Sequence, residues 1–338
     1  MNPSASLKLG ALLALSTVLP SCAPIPAAIH SSPTPALSAR PVESGPRLVS
    51  SRTAPTRRAE HVIVISIDGL RPDAIGKFNA ETLQRLAREG SYSLNARTIT
   101  PSLTLPSHTS MITGVEPRIH GITWNKNRVE ADGLVTVPTI FSLARAQGLT
   151  TAAVFSKGKF EHLLLPGSVD YAVLPEGDRH WYAGRTATEV EKYLSEATPD
   201  LLFVHIGEPD YAGHTIGWMG FAYGWAVRRA DGAVARVLAA ADKAFGEGEY
   251  TVILTADHGG HERTHGTSAD TDMTIPWIAW GKGVRSGEEL PHGVHTTDTA
   301  ATVLWLLGLN EPSEYAGVPV QAAFESRPAI RSAPVSAK

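Results

Sequence analysis

Three aspartates in this chain stand at the same point of their local pattern. Asp68 closes the apolar run His61-Val-Ile-Val-Ile-Ser-Ile67. Asp257, with His258 and two glycines behind it, closes Thr251-Val-Ile-Leu-Thr-Ala256, and Asp210 follows Leu201-Leu-Phe-Val-His-Ile206 with His214 four residues later. Carboxylate and imidazole are the oxygen and nitrogen donors that hold divalent transition metals. A spacing of four lets Asp210 and His214 reach one ion from a single helical turn. His265, in Thr-His-Gly, follows His258 by seven residues, and Thr104 adds a hydroxyl in Pro101-Ser-Leu-Thr104-Leu-Pro-Ser-His108. Asp68, Thr104, Asp210, His214, Asp257, His258 and His265 are enough donors for two cations. Two cations about 4 Å apart can hold both the attacking and the leaving oxygen of an in-line displacement.

The elements that must position these groups alternate. Residues 61–67, 150–155, 201–206, 251–256 and 274–280 read as strands, rich in β-branched and apolar side chains. Residues 81–89, 138–147, 185–197, 223–245 and 297–307 carry apolar residues at helical spacing, several of them stopped by glycine. Alternation of this kind predicts an α/β fold with a mostly parallel sheet sandwiched between helices. In such sheets ligands collect outside the carboxyl ends of the strands, where Asp68, Asp210 and Asp257 lie. Residues 101–114 predict a loop running into a short helix, with Pro106 in its first turn and Gly114 at its end. A hydroxyl at that entry faces free backbone N–H groups and the positive end of the helix dipole, which suits an oxygen that attacks phosphorus. Taken singly, a threonine there is an ordinary helix cap, and most of the 13 histidines are core or surface residues.

Composition, at 43% hydrophobic and 19% charged residues, is that of a globular chain and excludes a disordered one. Residues 1–58 hold six Arg and Lys against one acid, so +5 of formal charge sits there and −8 in the remainder. An acidic folded part argues against a nucleic-acid-binding surface and fits a carboxylate site whose charge bound cations offset. Lys8 precedes an uncharged stretch, 9–19, too short to span a bilayer and of signal-peptide length. It ends in Leu19-Pro-Ser-Cys22, whose cysteine is the only one in the chain and excludes an internal disulfide. The stretch resembles a bacterial lipoprotein box, which implies membrane attachment through lipidated Cys22 and a periplasmic or cell-surface location. The alternative is a plain secretory leader with an incidental cysteine. Residues 23–58, with seven prolines and six serines, read as a tether. The expected layout is therefore a leader at 1–22, a linker at 23–58, a catalytic domain at 59–325 and a tail at 326–338.

In combination these motifs resemble the type I phosphodiesterase/nucleotide pyrophosphatase branch of the alkaline phosphatase superfamily, over roughly residues 60–310. The resemblance implies two zinc ions, one held by Asp68, Thr104, Asp257 and His258, the other by Asp210, His214 and a late histidine. His265 is that histidine by its Thr-His-Gly setting, with His261 and His295 as rivals. It further implies Thr104 as the nucleophile of a phospho-threonine intermediate, with Ser102 as its rival, and Asn125 in Gly-Ile-Thr-Trp-Asn as the binder of a non-bridging phosphoryl oxygen. The substrate implied is a small phosphate ester, a diester or nucleotide pyrophosphate, since no arginine beside Thr104 matches the one monoesterases use for a doubly charged phosphoryl group. A phosphomonoesterase and a non-catalytic zinc-holding surface lipoprotein are the competing readings. The sulfatase motif Cys/Ser-x-Pro-x-Arg is not met by Thr104-Leu-Pro-Ser-His108, and an exported leader is the wrong address for a metal-dependent mutase.

Overall fold

The structure is a computed structural model that describes residues 56–291 and 293–324. The expected leader with Cys22, all but the end of the expected linker, and the expected tail lie outside the described residues. One sheet of eight strands organises the rest: β1 (Val62–Ile67), β2 (Ser91–Arg97), β3 (Thr151–Val154), β4 (Tyr171–Val173), β5 (Leu201–Ile206), β6 (Thr251–Thr255), β7 (Thr274–Gly281) and β8 (Glu288–Glu289). Their order is β4-β3-β5-β1-β6-β7-β2-β8. The first five run parallel, β7 is antiparallel to both β6 and β2, and β8 is parallel to β2. The expected mostly parallel α/β sandwich is therefore the fold observed.

The apolar runs explain the centre of the sheet. Every residue of β1, β5 and β6 is buried, as strands covered by helices on both faces require. Strand β2 has no counterpart among the strands expected from the sequence. Its residues Ser-Tyr-Ser-Leu-Asn-Ala-Arg form no continuous apolar run, its burial alternates, and its register against β7 shifts between Ser93 and Ala96. Helix Ile140–Ala146 starts two residues later than the sequence suggests, because the Thr139 and Ser142 side chains form a capping box. Helix Phe221–Phe245 buries Tyr223, Val227, Val234 and Leu238 along one face, and Gly308 closes helix Asp298–Leu307 in a left-handed conformation.

Register places the chemistry. Ile67 of β1 pairs with Ile206 of β5, and Ser66 with Thr255 of β6, so the carboxyl ends of three adjacent strands finish level. Asp68 is the next residue after β1, Asp257 lies two past β6, and Asp210 lies in the first turn of helix Glu208–Ile216, directly after β5. The backbone N–H of Asp210 donates to the carbonyl of Asp68 at 3.1 Å. That approach depends on Gly69, at φ +69°, where an added Cβ would lie 3.0 Å from Asp210 Cα. Gly69→Ala is expected to lower stability by about 1–2 kcal/mol through backbone strain alone. Thermal or urea unfolding of the variant checks this, and an unchanged midpoint would contradict it.

Candidate metal centre and nucleophile

Seven side chains named from the sequence converge at those strand ends. His258 Nε2 lies 3.3 Å from Asp68 Oδ1, 3.2 Å from Asp257 Oδ2, 4.0 Å from Asp210 Oδ1 and 3.3 Å from Thr104 Oγ1. Asp210 Oδ1 is 3.3 Å from His214 Nε2 and 3.6 Å from His265 Nε2, and those two nitrogens are 3.0 Å apart. Two groups are compact enough to share an ion: Asp68, Asp210 and His258, and Asp210, His214 and His265. Thr104 and Asp257 flank the first.

The hydrogen bonds decide what this cluster is built to hold. His258 Nδ1 donates to the Gly259 carbonyl, His214 Nδ1 to that of Arg263 and His265 Nδ1 to that of Ser102. With Nδ1–H fixed in this way, each neutral ring presents a bare Nε2 lone pair to the carboxylates. Asp68 Oδ1, Asp210 Oδ1 and Asp257 Oδ2 are buried oxygens with no hydrogen-bond partner among the described residues. Lone pairs facing lone pairs in a buried site need protons or cations between them, so the donor set fits divalent metal.

Other groups hold this arrangement in place. Asp68 Oδ2 accepts from His205 Nε2 at 3.0 Å and from Lys157 Nζ at 2.7 Å, and Lys157 Nζ also lies 2.5 Å from Asp210 Oδ2. The Gly69 N–H donates to Asp257 Oδ1, while the hydroxyls of Thr98 and Ser107 donate to the Asp257 carbonyl. Thr104 begins helix Thr104–Thr113 and is buried; its carbonyl accepts from His108 Nδ1, and Ser66 bonds the other side of that ring. Asn125 Oδ1 accepts from the Leu105 N–H at 2.9 Å and from Lys159 Nζ at 3.0 Å, which fixes the amide at the start of the Thr104 helix.

Charge is divided unevenly within the cluster. Burial raises the Asp68 carboxyl, but Lys157, His205 and His258 outweigh it and hold it well below the usual range. Burial, with the Asp68 charge beside it, pushes Asp257 up to about 8. Burial opposes protonation of His258, yet Asp257 and Asp68 raise it to about 9. Burial lowers His265 to about 3, helped by His258, whereas the adjacent Asp210 carboxylate raises His214. Lys159 falls to about 8 through burial and the neighbouring Lys157.

The rivals lie elsewhere. His261 bonds Asp272 at 2.7 Å, His295 stands in a separate cleft with Arg97 and Thr297, and the Ser102 hydroxyl donates to the Thr267 carbonyl. Of the aromatic residues near the site, Trp124 packs against His162 and Trp181 lies under Arg185. Tyr211, the residue after Asp210, and Tyr182 are exposed, with Tyr211 stacked on His180 at 4.2 Å and 6.1 Å from Tyr182. Sequence reasoning misses Lys157, Lys159, His205 and His108. The two lysines follow β3 as Ser156-Lys-Gly-Lys159, so the strand-end rule that finds the aspartates would find them too if it were extended to cations.

Residues 62–272 match the family pattern described as type I phosphodiesterase / nucleotide pyrophosphatase. The chain is similar to the human GPI ethanolamine phosphate transferase 2 catalytic subunit, with 24% identity over 90% of this chain and 32% of that protein. It is also similar to rat ectonucleotide pyrophosphatase/phosphodiesterase family member 7, with 26% identity over 60% of this chain and 51% of that protein. The chain thus spans about half or less of the length of these relatives. Among solved structures, an inactive form of murine ectonucleotide pyrophosphatase/phosphodiesterase 5 in complex with AMP shares the fold with TM-score 0.67 and 15% identity, covering 79% of this chain and all of that one. A 2-O GAG sulfatase, BT1596, shares it with TM-score 0.64 and 16% identity, covering 79% of this chain and 74% of the other.

Protons on Asp257 and His258 must leave before those side chains can bind metal. Both groups are raised above neutrality, so zinc affinity is expected to tighten as pH rises from 7 to 9, by about tenfold per unit for each proton displaced. Competition titrations across that range check it, and a flat profile would contradict it.

Proposed function

Because the chain belongs to the type I phosphodiesterase / nucleotide pyrophosphatase family of the alkaline phosphatase superfamily, hydrolase chemistry comes with that membership, and we propose that it cleaves small phosphodiesters or nucleotide pyrophosphate bonds through a phospho-threonine intermediate. In this reading one zinc ion is held by Asp68, Thr104, Asp257 and His258, and the other by Asp210, His214 and His265. The observation that carries it is the buried Thr104 Oγ1, 3.3 Å from His258 Nε2, beside three unpartnered carboxylate oxygens and three imidazoles with Nδ1 committed to carbonyls.

Thr104 Oγ1 loses its proton and bonds to phosphorus as the bond to the leaving oxygen opposite breaks. Water then attacks the same phosphorus, the Oγ1–P bond breaks, and Thr104 regains a proton. The zinc ions, when bound, lower the pKa of hydroxyl and water and offset charge on the leaving oxygen. The chain's own contribution is position. Thr104 opens its helix with an N–H that has no partner among the described residues, and Asn125 keeps Nδ2 free while Oδ1 is held, so three N–H bonds are available to equatorial phosphoryl oxygens. Buried His108 fixes the Thr104 carbonyl and hence the turn that presents the hydroxyl.

One observation favours the phosphomonoesterase reading. Lys159, in contact with Asn125, supplies a cation near the phosphoryl site that the sequence alone does not place there, and a doubly charged group would make use of it. The exposed Tyr182 and Tyr211 suit the organic part of either ester. We propose further that the chain is exported and attached to a membrane through lipidated Cys22, ahead of a catalytic domain at 59–325.

Thr104→Ala is expected to lower kcat on bis-p-nitrophenyl phosphate by at least about a thousandfold while zinc content stays near wild type, since removing a nucleophile forfeits that order of acceleration. Hydrolysis at the wild-type rate would refute the assignment. Lys159→Met is expected to depress p-nitrophenyl phosphate turnover more than that of the diester, and equal losses would remove the case for a monoester. In cells, Cys22→Ser is expected to move the protein from the membrane to the soluble fraction, and unchanged membrane association would rule out the lipid anchor.

A further inference from the structure

Asp68 and Asp210 use their two oxygens in the same way. Each Oδ1 is buried, without a hydrogen-bond partner among the described residues, and faces the imidazoles; each Oδ2 is taken by Lys157, at 2.7 Å for Asp68 and 2.5 Å for Asp210. Lys157 is itself buried, and its path is built. Its Cε would lie 3.2 Å from a Cβ at Gly207, the residue before the Asp210 helix, so the missing side chain there leaves room for the lysine stem. Next to it, a Cβ at Gly158 would lie 1.9 Å from the Gly177 carbonyl, which seats the Lys157-Gly-Lys159 turn against its neighbour. Like charges that close in a buried site cannot both stay ionised without a counter-charge.

We infer that Lys157 is the resident counter-cation of the metal site: it neutralises Asp68 and Asp210 so that the cradle is folded before metal arrives, and fixes which oxygen of each carboxylate faces the ions. It is a positioning residue. The inference rests on the two-cation reading above and adds a consequence that reading does not contain. A fixed positive charge in contact with one ligand of each ion repels incoming divalent cations, so the site forms without metal at the expense of metal affinity.

Lys157→Met and Lys157→Arg test this through metal binding and stability, without recourse to activity. Stripped of metal, Lys157→Met is expected to melt well below wild type, and Lys157→Arg to recover most of the loss. Saturating zinc is expected to bring Lys157→Met back to within a few degrees of zinc-loaded wild type. A chromophoric chelator at pH 8.5 is expected to report a zinc Kd for Lys157→Met at least about tenfold tighter than wild type. A lysine that served only as packing would lower both melting points and leave the Kd unchanged or weaker, and that result would overturn the inference. If Lys157→Met does not fold at all, Lys157→Met/Asp210→Asn removes one carboxylate with the lysine and is expected to fold without metal; failure of this double variant would also overturn it. Wild-type protein that takes up no zinc would refute the two-cation reading, and the metal-free melting points would still decide the role of Lys157.

Discussion

Mutual repulsion of three buried carboxylates is the constraint around which this protein is built. At 4 Å and an effective dielectric constant of 20, each ionised pair costs about 4 kcal/mol. Neighbouring places in the sheet make the repulsion unavoidable, because β5, β1 and β6 are adjacent and their carboxyl ends are level. The surrounding structure answers it locally. Lys157 and His205 hold one side of Asp68, the Gly69 N–H holds Asp257, and three imidazoles present nitrogen lone pairs with which the carboxylates can share a cation.

The same constraint links backbone choices to chemistry. A left-handed glycine after Asp68 lets the Asp210 helix come close, and Trp218 fills the space beside Gly213 and Gly260, which carry no side chain of their own. Helix Thr104–Thr113 is tied to the acidic cluster as well as to the core, since Ser107 bonds the Asp257 carbonyl and His108 joins Thr104 to Ser66 on β1. Movement of any one of these elements would shift the Thr104 hydroxyl and the acidic cluster together. Shared hydrogen bonds therefore link the hydroxyl to the candidate ligand set, a coupling that catalysis by position requires.

Much of this is legible from residue types at strand ends. Buried strands such as Val62–Ile67 and Thr251–Thr255 announce themselves as unbroken apolar runs, and a rule about where such strands stop is enough to gather Asp68, Asp210 and Asp257 without knowledge of their register. Thr104 and Asn125 are different. Their spacing alone gives a helix cap and a polar loop residue, and only the resemblance of whole motifs singles them out. Strand β2 escapes because half of its side chains face partly outward and its register slips, so neither periodicity is clear. Lys157 and Lys159 escape for a different reason: a lysine after a strand ordinarily points into solvent, and only the coordinates show these two turned inward between acids and against Asn125.

Family membership gives the class of chemistry, while the likeness to a nucleotide pyrophosphatase/phosphodiesterase structure and to a sulfatase at 15–16% identity shows the shared fold alone. Within that fold this chain places two inward-turned lysines, Lys157 and Lys159, among and beside the seven candidate ligands. The most direct test of the central claim is anomalous diffraction at the zinc edge from zinc-loaded crystals. The account predicts two peaks, one bounded by Asp68, Thr104, Asp257 and His258 and the other by Asp210, His214 and His265. A single peak, or zinc found only away from these side chains, would contradict it.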